Sequence, residues 1–125
     1  MRDAIQPDGV PVPAPPYSPV VVGGDLVYTA GQVAMDATGA IVPGGIAEQT
    51  EQVLRNVAAC LAAAGCGMVD VVKTTVFLTD RSLLASFRAA RDAVYGGHAP
   101  CSTLLFVAGL ADPRFVVEIE AEAVA

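Results

Sequence analysis

Charge is scarce in this sequence. Only 16% of its 125 residues are charged, against about 25% in an average soluble domain. The basic residues are a single lysine, Lys73, and six arginines that form no block, and the formal net charge is −6. An acidic surface without a basic patch excludes the phosphate backbone of a nucleic acid as the expected partner. Long apolar runs are missing too: none reaches the roughly 18 residues of a membrane span. The N-terminal stretch lacks the charged-then-apolar layout of a secretory signal, so a cytoplasmic protein with no membrane partner is expected. Cysteine is limited to Cys60, Cys66 and Cys101, and the first two stand six residues apart. Paired metal ligands usually stand about two to four apart. Reduced thiols are therefore expected. Asp36, Asp112 and the C-terminal glutamates also lack metal-ligand spacing, so neither a metal nor another cofactor is expected.

What the chain has in abundance is apolar residues, 54% of the total. Either the core is rich in alanine and valine, or part of the apolar surface is covered by a partner subunit. The length suits one domain spanning 1–125. Residues 1–19 read as an extended arm, because Pro7, Pro11, Pro13, Pro15, Pro16 and Pro19 forbid a helix. Val20–Val22 and Leu26–Ala30 read as two strands around the turn Gly23-Gly24-Asp25. Gly31-Gln32-Val33 leads into a glycine-rich loop.

From Ile46 the period becomes helical. Ile46, Val53, Leu54, Val57, Leu61 and Ala64 share one face, with Glu48, Gln49, Glu51, Gln52 and Arg55 opposite. Gly65 and Gly67 end this helix. Val71–Thr79 is rich in β-branched residues and reads as a strand. Asp80 and Ser82 are candidate caps for a second helix, Leu83–Tyr95. Its apolar face is expected at Leu83, Leu84, Phe87, Ala90 and Val94, with Arg88, Arg91 and Asp92 solvated. Ser102–Ala108 and Phe115–Val124 read as the last strands. The final one alternates Val117, Ile119, Ala121, Ala123 against Glu118, Glu120, Glu122. The order β-β-α-β-α-β-β predicts an α+β fold, a single mixed sheet with both helices packed on one face. The other sheet face needs a cover, and oligomerisation would supply it.

Several segments, in this order, resemble those of the Rid family (RidA, YjgF). Pro16-Tyr17-Ser18-Pro19 resembles its entry segment, and Leu26 to Val33 its strand ending in Gly-Gln. Glu48-Gln49-Thr50 with Leu54-Arg55-Asn56 resembles its first helix, Val72 to Asp80 its central strand, and Val117 to Ala121 its last. The resemblance runs from about Pro15 to Val124, leaving 1–15 as a proline-rich arm. It implies a chorismate-mutase-like homotrimeric barrel with small-molecule clefts at the subunit interfaces. It also implies a deaminase that hydrolyses reactive imines and enamines to keto acids and ammonia.

The resemblance implies roles for individual residues. Tyr17 would stand at the cleft, where its phenol could orient a water or polarise a carbonyl; the alternative is a tyrosine packing the arm. Glu118 would help bind the catalytic water, with Glu120 beside it on the same face. A dry cleft would raise a carboxylate pKa, whereas a solvated stripe with Glu122 would not. Ala30 and Gly31 would offer backbone groups. Phe87 would wall the cleft or else fill the core.

One position departs from the family. Where the family reads Pro-Ala-Arg-Ser, with the arginine forked onto a substrate carboxylate, this chain has Pro100-Cys101-Ser102-Thr103. A serine hydroxyl offers one neutral hydrogen bond in place of a bidentate charged pair. Its loss in a buried cleft costs on the order of 2–5 kcal/mol. The expected ligand is accordingly neutral, larger or less acidic than a small 2-imino acid, with Ser102 hydrogen-bonded to it and Cys101 alongside. His98 stands three residues before Cys101, a spacing that allows a Cys–His pair. The sequence thus favours water activation on an imine or enamine. A cyclisation, tautomerisation or dehydration in the same cleft, or a non-catalytic ligand-binding trimer, are the alternatives. Ribonuclease activity ranks last, since no acid–base histidine pair is present.

Overall fold

The computed structural model describes residues 2–14 and 16–125; Met1 and Pro15, both assigned to the extended arm, lie outside the described residues. Among the described residues, six strands form one sheet: β1 (Arg2–Ile5), β2 (Val20–Gly23), β3 (Leu26–Thr29), β4 (Val71–Leu78), β5 (Cys101–Phe106) and β6 (Val117–Val124). Two α-helices accompany them, α1 (Ile46–Ala63) and α2 (Leu84–Tyr95). The spatial order is β1-β2-β3-β6-β4-β5. All neighbours are antiparallel except β4 and β5, which α2 joins as a parallel crossover.

The extra strand is β1. Its residues precede the first proline, Pro7, so their N–H groups are free to pair with β2 from Arg2↔Gly23 to Ile5↔Val20. Only the remainder of the arm is irregular. The turn at Gly24-Asp25 places Gly24 at φ 60° while Asp25 stays out of the left-handed region, a type II′ pattern that needs glycine first. Helix α1 closes as the sequence anticipates: Gly65 adopts φ 79°, Cys66 N–H reaches Leu61 O at 2.8 Å and Gly65 N–H reaches Ala62 O at 3.0 Å.

The alternation in β4 and β6 sorts the sheet into two faces. Val76, Leu78, Val117, Ile119 and Ala121 are buried beneath Val53, Leu54, Val57 and Leu61 of α1 and Phe87 of α2. Register places Lys73 with Glu122, Thr75 with Glu120 and Phe77 with Glu118 on the opposite face, where Tyr28 is 41% and Leu105 46% exposed. Among the described residues, no helix or strand covers that face. Beyond it, β5 has an unpaired outer edge.

Two departures from the expected helix faces matter below. Gln49, placed among the solvated residues of α1, is 4% exposed. Its amide donates to Arg114 O at 2.8 Å and accepts from Val116 N–H at 2.9 Å, so burial leaves it satisfied. In α2 the inward stripe runs through Leu84, Phe87, Arg91 and Tyr95, whereas Val94 is exposed. Positions 91 and 95 follow Phe87 at helical spacing, so Arg91 turns towards the sheet rather than into solvent.

Candidate functional site

The segment after β3 builds the first half of a site. Gln32 forms a two-way bridge with Ile119, through N–H···O bonds of 2.8 and 3.1 Å. This brings Gly31 against the start of β6. The approach is close: a Cβ on Gly31 would lie 2.8 Å from the carboxyl carbon of Glu118, so any larger residue there would push that carboxylate aside. Asn56 of α1 fixes the chain beyond it. Its Nδ2 donates to Val33 O at 3.1 Å and to Met35 O at 2.9 Å, and its Oδ1 accepts from Gln52 Nε2 at 2.9 Å.

Above this floor lies a hollow of about 270 Å³, edged by Tyr17, Pro19, Gly31, Gln32 and Asn56. The arm forms its outer wall through Val10 to Ala14. Glu118 is half-buried beside it. Burial, reinforced by the neighbouring Glu120 charge, pushes its carboxyl above the ordinary range. A half-buried carboxylate with a raised pKa and an open flank is suited to take up a proton and return it.

The sequence-predicted residues divide between places. Tyr17 and Gly31 share the hollow, and Glu118 lies over Gly31. The backbone groups of Ala30 are engaged within the protomer: its N–H is bonded to Pro19 O at 2.8 Å and its carbonyl accepts from Gln32 Nε2 at 3.3 Å. Among the described residues, nothing hydrogen-bonds the Gly31 N–H. Glu120 lies further along the open sheet face, in a shallow depression with Tyr28, Lys73 and Thr75. Phe87 has no accessible surface and sits in the core against Leu54, Val76 and Ile119. It therefore fills the core and walls no cleft.

Ser102 lies in a second hollow beside β5, about 230 Å³ in volume and bounded by Arg91, Tyr95, His98 and Pro100. Thr74 Oγ1 is 3.2 Å from Ser102 Oγ. His98 Nε2 lies 3.0 Å from Val71 O, and since a carbonyl only accepts, that nitrogen carries the proton. Burial raises the Tyr95 phenol above its ordinary value, partly offset by the Thr74 hydroxyl and the Arg91 charge. Cys101, one residue before Ser102, projects from the opposite face beside Lys73 and is exposed. Cys60 is buried, and its thiol is pushed up to about 12. Gly31 borders the first hollow and Ser102 the second, and neither hollow holds both.

Sequence reasoning missed three participants. Gln32 and Asn56 border the first hollow, and Asn56 could have been suspected as an amide flanked by Val53 and Val57 on the buried helix stripe. Arg91 borders the second; its only sequence signal is its spacing from Phe87.

This α+β architecture, with its open sheet face and a glutamate packed over a glycine, defines a class that known proteins share. The chain matches the family described as Endoribonuclease L-PSP over residues 9–125. It belongs to that family, which is the Rid (YjgF/RidA) family its segments resemble. A RutC family protein of Pyrococcus horikoshii is 38% identical over 126 residues, covering 100% of this chain and 98% of the relative. The 2-iminobutanoate/2-iminopropanoate deaminase of Rattus norvegicus is 36% identical, covering 99% of this chain and 90% of the enzyme. Among solved structures, the YjgF gene product of E. coli superposes with a TM-score of 0.92 at 34% identity, covering 98% of both chains. E. coli TdcF with bound serine superposes at 0.93 and 30% identity, also covering 98% of both chains. The neighbours carry the chorismate-mutase-like fold. No helix among the described residues is long and apolar enough to cross a membrane.

Proposed function

We propose that this protein is a Rid-like imine deaminase whose cleft forms between copies of the chain in a homotrimer. The observation that carries this reading is the Glu118 carboxylate lying over Gly31 beside the Tyr17 hollow, half-buried and raised in pKa. Relatives named as imine deaminases favour the same chemistry.

Glu118 holds a water and accepts its proton as the oxygen attacks the C=N carbon. The nitrogen takes that proton as the carbinolamine forms. The carbinolamine hydroxyl then passes its own proton through Glu118 to the nitrogen, the C–N bond breaks, and ammonia leaves as the carbonyl forms. An enamine first takes a proton on carbon and then follows the same course. Atoms balance as imine plus water giving ketone plus ammonia. Tyr17 orients the reacting group from the rim, and the free Gly31 N–H faces the developing oxyanion.

The placement of the two hollows supports an intersubunit cleft. Glu118 lies on the open face of the sheet, whereas Ser102, in register with the buried Thr74, lies on the helix-covered face, so a single protomer does not bring Ser102 to Glu118. The uncovered sheet face and the unpaired β5 edge are the surfaces a second copy would occupy. The test is hydrolysis of 2-iminopropanoate and of a neutral imine by wild type and Glu118→Gln, each checked for trimer mass by light scattering. Turnover of at least one imine by wild type, lost in the variant, is expected. A trimeric wild type inert on both substrates would overturn the reading.

A further inference from the structure

The second hollow contains a cation with no settled partner. Arg91 reaches it from α2, with its side chain 26% exposed and its guanidinium 5.6 Å from the centroid of the Phe87 ring. The packed stem fixes where the charge sits. Nε and one terminal nitrogen both bond a single oxygen of the adjacent Asp92, at 3.0 and 2.9 Å. Among the described residues nothing hydrogen-bonds the other terminal nitrogen. Asp92 is itself 66% exposed, so this contact is solvated and weak.

The remaining walls suit an anion. Ser102 offers a hydroxyl tied to Thr74. His98 spends its Nε2 proton on Val71 O and gives the hollow no donor from that nitrogen, so Ser102 and Arg91 are the groups that face an anion. Tyr95 stays un-ionised because its phenol is buried. Asp92 is the one acid at the hollow, and it stands at the exposed end.

We propose that Arg91 is the anion-binding residue of the cleft, holding a substrate carboxylate from α2 at a site where Ser102 offers no charge. This rests on the deaminase reading above and names the residue that sets its substrate preference. The carboxylate docks on the free edge of the Arg91 guanidinium or displaces Asp92 from the other edge, and accepts a further hydrogen bond from Ser102. Its C=N carbon then extends away from the hollow, towards the Glu118 of an adjoining copy. The positive charge comes from the helix, because residue 102 cannot supply it.

The probes are pyruvate and its neutral amide, pyruvamide, titrated into isotope-labelled trimer while the Arg91 Nε–H and Ser102 amide resonances are followed. Wild type is expected to bind pyruvate more tightly than pyruvamide. Arg91→Met should weaken pyruvate roughly 10-fold or more while leaving pyruvamide unchanged, as loss of one charged hydrogen bond implies. Equal affinities in wild type, or unchanged pyruvate binding in Arg91→Met, would overturn the assignment. Should that variant fail to form trimers, Asp92→Asn decides: tighter pyruvate binding supports the proposal, and unchanged binding sinks it. Glu118→Gln should bind pyruvate as wild type does. Arg91-dependent binding without turnover would therefore refute the deaminase reading alone, and turnover with Arg91-independent binding would refute this one.

Discussion

The two hollows differ in what holds their reactive group. On the β6 side, Glu118 is positioned by backbone: a glycine that leaves no room for a Cβ, a two-way peptide bridge at Gln32 and an asparagine that clamps two carbonyls. On the β5 side, Arg91 is positioned by side chains alone: a ring beneath it, a solvated aspartate beside it and the hydroxyls of Thr74 and Ser102 nearby. Backbone cannot drift without disturbing the sheet, whereas a side-chain setting can be rebuilt by one or two substitutions. The acid–base half is thus the more constrained, and the ligand-selecting half is where related chains are free to diverge.

The sharpest way to break this comparison is at Gly31. Gly31→Ala should lower kcat/KM by roughly 100-fold or more, since an added methyl forces Glu118 out of line. Loss of binding alone would instead place Glu118 outside the chemistry. Glu118→Gln comes next, with kcat down roughly 10²- to 10⁴-fold. It has a stability signature as well. Folding raises the Glu118 pKa, so the folded state binds more protons than the unfolded one between the two values, and stability falls as pH rises through that window. The Gln variant should therefore melt higher than wild type at neutral pH, and the gain should vanish on acidification below the unfolded value.

Co-expression sharpens the comparison further. Glu118→Gln and Arg91→Met chains, each weak alone, should together recover about a quarter of wild-type turnover, as random pairing of copies around a trimer requires. No recovery would place both halves on one chain. In the core, Phe87→Ala should destabilise by about 3–5 kcal/mol in a denaturant melt. The smallest effect belongs to Cys101→Ser, on the exposed face, with stability changed by less than about 0.5 kcal/mol and turnover intact.

The legible parts of the molecule are those where one period governs a whole segment. The alternation in β6, the turn glycine Gly24 and the terminator Gly65 each follow from local rules, and the structure keeps them. What escaped depends on which turn of a helix meets the sheet. In α2, stripes through Ala90 and Val94 or through Arg91 and Tyr95 are equally regular, and an arginine argues against its own burial. The strand β1 is four residues long and gains its pairing only from β2. Gln49 and Asn56 carry amides, which a pattern of apolar residues assigns to solvent. Both are buried because backbone groups elsewhere in the chain need them. For the site, Glu118, Gly31 and Tyr17 were legible as positions, but their meeting depends on the bridge at Gln32. For Phe87, complete burial selects the core-filling alternative, and the Ala30 backbone groups already have partners inside the protomer.

Gln49 has one more consequence. Its carboxamide gives to Arg114 O and takes from Val116 N–H, which is what the peptide of a neighbouring strand would do for residues 114–116. The helix thereby lends the sheet one rung of ladder just before β6 begins. A side chain doing a peptide's job must both donate and accept, so glutamate, which only accepts, leaves the rung half-made, and methionine, although similar in size, makes neither bond well.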